Sequence, residues 1–318
     1  MSGQAGRTEL ARSRVGLGLA ALGRPGYINL GHAADLGGDT DERSMERHAH
    51  RVLDAAYDAG VRYYDAARSY GKAEAFLASW LSQRGLKPGE VTVASKWGYT
   101  YTAGWRVDAE VHERKDLSVA TLRRQLGETR ELLGEHLRLY QIHSATRDSG
   151  VLEDREVLEE LARLRERGVA IGLTVTGARQ RDTIERALEL DRFDAVQATW
   201  NLLDGSAGPA LADAHRAGMT VIVKEALANG RLTGRGDTPA LARAARRVGA
   251  EADAVALAAA LAQPWADVVL AGATTAEMLH SNLASLELKL SPDTLAALGD
   301  LGEEPADYWE RRSALAWN

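Results

Sequence analysis

Short apolar, β-branched runs alternate with charged stretches of helical spacing along most of the chain. The first run covers residues 14–22. After it, Met45, Ala49, Val52, Leu53 and Ala56 fall on one helix face, and Gly60 reads as its stop. Runs at 61–66, 91–97, 137–143, 169–175, 194–200, 220–227 and 267–273 continue the pattern. Helical spacing follows them, as in Leu122, Leu126 and Leu133, in Val157, Leu161 and Leu164, and in Leu279, Leu283 and Leu286. Several runs are almost continuously apolar, as parallel strands buried on both faces are. Eight strand–helix units in this order predict an α/β fold, a (β/α)8 TIM barrel. An open doubly wound sheet is the rival. No Pro-, Gly- or Ser-rich linker divides the chain, so residues 1–318 read as a single domain. Residues 287–318 are left as a C-terminal helix and a Trp-bearing tail over the rim. Residues 98–117 form a long irregular stretch, and such loops in compact domains tend to be functional.

The length of 318 residues would allow two ordinary domains, but the eight units need only one barrel. Lysine and arginine total 39 against 45 acidic residues, a net charge of −6, so no nucleic acid or anionic membrane is expected as a partner. The count of 0 cysteines removes thiolate catalysis, disulfides and cysteine-bound metals. Neither a signal-like apolar segment nor a run of about 18 uncharged apolar residues occurs, so a cytoplasmic location is expected. The aromatic set is 7 Trp and 9 Tyr against 2 Phe, a bias toward rings with a polar handle that suits a half-wet site.

Residues 16–21, GLGLAA, match a dinucleotide-binding glycine pattern. That pattern must open a helix, yet Gly23, Pro25 and Gly26 follow at once. Tight packing or a turn is the better reading of these glycines. The chemistry lies elsewhere. In a barrel the active site stands at the C-terminal ends of the strands. There the chain places Asp65 and Tyr70, Lys96, His143, Thr174, Gln197, Lys224 with Glu225, and residues 272–275. Alone, Asp65 reads as a cap, Lys96 as a snorkelling side chain and His143 as a satisfied core histidine. Together at one rim they read as a site, since polar groups in apolar strands are costly unless paired. His112 and Glu113 do not form a zinc-binding HExxH, and no metal is expected.

YYDAARSYGKAE resembles the Asp-x4-Tyr-Gly-x-x-Glu signature of the aldo-keto reductases. SKWG, LYQIHS, VQATWNLLD and AGATTAEMLHSNL resemble further segments of that family, in its order, over residues 14–290. The resemblance implies a (β/α)8 barrel that reduces an aldehyde or ketone by hydride transfer from a nicotinamide cofactor. It implies Tyr70 as general acid, Lys96 lowering the phenol pKa, Asp65 holding Lys96, and His143 donating to the carbonyl oxygen. It also implies Thr174 and Gln197 at the nicotinamide, Gly272, Ala273 and Thr274 at the phosphates, and Glu277 and Asn282 at the adenosine end. Three departures stand out. Val175 replaces an expected asparagine, Lys224 replaces an aromatic residue beside the nicotinamide, and residues 272–282 hold no Lys or Arg. NADP(H) is the family's default, and NAD(H) becomes an option, with Arg231 as a possible source of charge.

The expected partner is a small-molecule carbonyl substrate, with Tyr27, Trp97, Trp105 and Trp200 as pocket walls. Two alternatives remain at this level. One is a Schiff-base aldolase using Lys96 or Lys224. The other is a redox-sensing module that binds cofactor but scarcely turns over. Oligomeric state is not read from the sequence.

Overall fold

The computed structural model describes residues 9–318. Ten strands occur in it: β1 (Val15–Gly18), β2 (Tyr63–Asp65), β3 (Thr92–Trp97), β4 (Tyr99–Tyr101), β5 (Glu113–Lys115), β6 (Leu137–Ala145), β7 (Ala170–Val175), β8 (Ala195–Thr199), β9 (Thr220–Lys224) and β10 (Val268–Ala271). Eight of these close into a parallel barrel in the order β1-β10-β9-β8-β7-β6-β3-β2. β1 pairs with both β2 and β10, which rules out the open sheet. The remaining two, β4 and β5, form an antiparallel hairpin inside the 98–117 stretch.

The register aligns the chemistry at one rim. Lys96 stands beside Gln141, Thr174 beside Gln197, and Thr199 beside Lys224. Successive side chains on a strand face opposite ways. Tyr63, Ala94, Leu139, Ala195, Ile222, Val268 and Leu270 form one buried cluster with Leu10. Val93, Trp97, Ile142 and Leu173 belong instead to the larger core that includes Leu53, Leu77, Leu122 and Leu161 from the surrounding helices. Gly16 shows why β1 needs glycine. A Cβ there would stand 2.8 Å from Tyr63 Cδ1 and 2.9 Å from Leu270 Cδ2.

The helices follow the apolar stripes. Helix Glu42–Asp58 buries Met45, Ala49, Val52, Leu53 and Ala56, and the Asp41 carboxylate accepts from the N–H groups of Arg43 and Ser44 at its start. Ser118 and Asp154 cap Val119–Leu133 and Arg155–Glu166 in the same way. The sequence pattern missed the short helix His32–Leu36. After the barrel come two helices, Pro292–Gly299 and Pro305–Ser313, where one was expected. Among the described residues no helix is long and apolar enough to cross a membrane.

Candidate active site

Lys96 and Asp65 are only 1% and 2% exposed. Lys96 Nζ donates to the Asp65 carboxylate and to the Ala66 carbonyl, the latter at 2.9 Å. Asp65 Oδ1 also accepts from Gln197 Nε2 at 3.1 Å and Gln141 Nε2 at 3.3 Å. A buried ion pair survives when its remaining lone pairs and protons are satisfied, and this one is well supplied.

Tyr70 follows β2 in a turn closed by Gly71, whose φ is +60° and whose Cβ would meet Gly23 O at 2.4 Å. Lys96 Nζ lies 4.7 Å from the centre of the Tyr70 ring. His143, near the end of β6, sits edge-on to Tyr70 at 5.5 Å and to Tyr99 at 4.9 Å. Burial pushes the Tyr70 phenol well above its ordinary value of 10.0, and Asp65 adds to the rise. The lowering expected from Lys96 does not prevail over burial. Burial, then Lys96 and Lys224, hold His143 well below 6.5, so its ring is neutral.

The end of β9 carries a second ionic group. Lys224 Nζ donates to Thr199 Oγ1 at 2.7 Å and lies 3.8 Å from Glu225. Burial lowers the Lys224 amine to about 8. Burial alone would raise Glu225, but Arg312 and Lys224 outweigh it and hold the carboxyl at about 2. Arg312 reaches Glu225 from helix Pro305–Ser313 through a forked pair, with Nε to Oε2 at 2.8 Å. Thus the C-terminal helix is fastened to the rim.

One cavity of about 700 Å³ joins these groups. Asp65, Tyr70, His143, Thr174, Gln197, Lys224 and Tyr27 line it, and so do Gly272, Glu277 and Asn282 further along. The Thr174 hydroxyl accepts from the Ser144 N–H at 2.7 Å. Asn282 and Ser281 both donate to Asp253, at 2.6 and 3.0 Å. Lys96, Ala273 and Thr274 are buried behind the wall rather than on it.

Several expected residues stand elsewhere. Arg231 does not line the cavity, because Glu303 and the Tyr308 ring hold its guanidinium. Trp97 is 0% exposed in the core, as it must be when its neighbour Lys96 serves the site. Trp105 donates to Thr40 O at 2.7 Å, and Trp200 packs on Trp265 at 5.8 Å, so neither forms the pocket wall. Sequence reasoning missed Arg24, Glu113, Asp253 and Arg312, and named Glu225 only as a partner for Lys224. Arg24 left one signal: it sits in the Gly-Arg-Pro-Gly turn at the rim end of β1.

A family model described as the aldo/keto reductase family matches residues 16–303. The chain belongs to the aldo/keto reductase family. Membership makes it an oxidoreductase of carbonyl chemistry. This aldo/keto reductase is 27% identical to the uncharacterized oxidoreductase YrpG of Bacillus subtilis, over 98% of both chains. It is 26% identical to the NADH-specific methylglyoxal reductase of Escherichia coli, over 94% of this chain and 97% of that one. An aldo-keto reductase of Bacillus halodurans in its holo form superposes with a TM-score of 0.70 at 20% identity, covering 92% of this chain and 93% of that one. That likeness establishes the shared barrel.

Proposed function

We propose that this aldo/keto reductase reduces the carbonyl of a small aldehyde or ketone, with Tyr70 as proton donor and NADH as the preferred cofactor. The observation that carries the reading is the meeting of Asp65, Tyr70 and His143 on one cavity, with Lys96 paired to Asp65 behind its wall. At about 700 Å³ the cavity falls within the range of ligand sites, roughly 300–1,000 Å³. The nicotinamide supplies hydride when bound.

This chain's residues supply the proton and the field. Burial keeps the phenol protonated but makes it a weaker acid, so its donation depends on neighbours that favour the phenolate as the proton leaves. The neutral His143 ring offers an N–H to the same carbonyl oxygen, stabilising charge as it forms. Thr174 and Gln197 line the cavity with polar groups suited to an amide. Glu251, Asp253 and Glu277 line the far end with carboxylates suited to sugar hydroxyls. They would repel a 2′-phosphate. Arg235 also lines the cavity, but its guanidinium is paired with Asp35 and with Leu30 O at 2.8 Å. This distribution supports NADH over NADPH.

An aldolase role for Lys96 is disfavoured by its buried pair with Asp65. The experiment is turnover and cofactor binding by wild type and Tyr70→Phe. The variant is expected to bind cofactor normally and lose carbonyl reduction; retained turnover removes the scheme. Wild type is expected to bind NADH at least about tenfold tighter than NADPH, a difference of about 1.4 kcal/mol.

A further inference from the structure

Arg24 has no part in the scheme above, yet it is buried at 2% exposure beside the proton donor. Its Nη1 donates to Ser69 O at 3.0 Å and to the Glu113 carboxylate on β5. The guanidinium carbon lies 5.3 Å from the centre of the Tyr70 ring, 5.1 Å from that of Tyr27 and 4.7 Å from that of Trp317. Its Nε is buried without a partner. A charge kept in such a place at that cost calls for a use.

The contacts converge on one turn. Ser69 immediately precedes Tyr70. The neighbouring Gly23 O accepts from Lys72 N at 2.7 Å, and a Cβ on Gly23 would stand 2.1 Å from Tyr70 O. So the segment bearing Arg24 fits closely against the turn bearing the phenol.

We propose that Arg24 is a positioning residue for Tyr70: it holds the Ser69 turn, and its charge, moderated by Glu113, favours the phenolate that forms as the proton leaves. The inference rests on Tyr70 being the proton donor. Other groups reach the phenol as well. Asp65 comes from β2, Lys96 from β3, His143 from β6 and Glu225 from the end of β9. Asp65 is paired with Lys96 yet still pushes the phenol up, and His143 is uncharged. Arg24 opposes the upward push on Tyr70, and Glu113 adds to it. These two can be altered without touching the Asp65–Lys96 pair.

The test uses the full chain with bound reduced cofactor, reading the single-turnover rate of nicotinamide oxidation near pH 7. Arg24→Met is expected to slow that step by about tenfold with the cofactor dissociation constant unchanged. Arg24→Lys keeps the charge and is expected to recover part of the rate. Glu113→Gln keeps an acceptor for Arg24 and removes only the opposing charge, so the step is expected to quicken. A purely structural Arg24 predicts a loss in all three variants, and that result overturns the proposal. So does an unchanged rate in Arg24→Met. If Arg24→Met fails to fold, the sign of the Glu113→Gln effect decides, since Glu113 lies on the hairpin at 19% side-chain exposure. Tyr70→Phe run alongside separates the two levels. Retained turnover there defeats the proton-donor reading, whereas lost turnover with unmoved rates in the other variants defeats only the role of Arg24.

Discussion

At the scale of the residue, single positions serve packing and chemistry on opposite sides of one strand. Lys96 is paired with Asp65 and Trp97 is sealed in the outer core, one residue apart. Strand alternation made that legible in the sequence, and the aromatic bias obscured it. Asp65, Lys96 and His143 were legible as polar interruptions of apolar runs, whereas Tyr70, in a polar turn, was legible only through the family signature its segment resembles. Gln197 braces Asp65 from 132 positions away, a contact that no local pattern reveals. Of the two uses open to Gly16, packing or a turn, the structure shows packing against Tyr63 and Leu270. Gly16→Ala is therefore expected to destabilise the protein by about 1–3 kcal/mol, from the cost of overfilling a close-packed interior. A urea midpoint equal to wild type would mean that Tyr63 and Leu270 yield freely.

At the scale of the element, the barrel strands and most helices followed from periodicity, but the parts that finish the site did not. The β4–β5 hairpin is built from Tyr-Thr-Tyr and Glu-Arg-Lys, which carry no apolar alternation to announce it. Helix Pro305–Ser313 had a plausible pattern, but its docking depends on Arg312 meeting Glu225 across 87 positions. Tyr308 and Trp309 add bonds to Asn201 at 2.9 Å and Asp204 at 3.0 Å. Removing one partner of a buried ion pair typically costs about 3–5 kcal/mol. Arg312→Met should spend that loss locally, undocking the helix rather than the barrel. The expected result is faster proteolytic cleavage beyond residue 304, with the melting temperature of the barrel little changed. Unaltered protection of this segment would show that Tyr308 and Trp309 suffice to hold it.

At the scale of the whole molecule, burial of charge makes stability depend on pH in two windows. Glu225 titrates at about 2 in the fold against an ordinary 4.5. Its contribution is present in full above 4.5 and is lost as pH falls toward 2. Lys224 is lowered from 10.5 to about 8, so its charged form is disfavoured by folding. That penalty applies below about 8 and fades as pH rises to 10.5. The urea midpoint should therefore fall as Glu225 is protonated, and the wild type should gain on Lys224→Met as pH rises from about 8 to 10.5. A midpoint falling between pH 8 and 10.5 in the wild type but not in Lys224→Met would reverse the sign assigned to this amine. The closed barrel itself was legible because eight local units suffice to specify it. Its mouth was not, because it is assembled from distant parts. Asn318 and Tyr27 exchange backbone bonds of 3.1 Å in both directions, and Asn318 Nδ2 reaches Asn29 O at 2.9 Å. Beside them Trp317 stacks on His112 at 3.9 Å and covers Arg24. During synthesis these residues leave the ribosome after every barrel strand. A nascent chain can close its barrel while the wall over Arg24 is still missing, so the mouth is assembled later than the barrel that carries it.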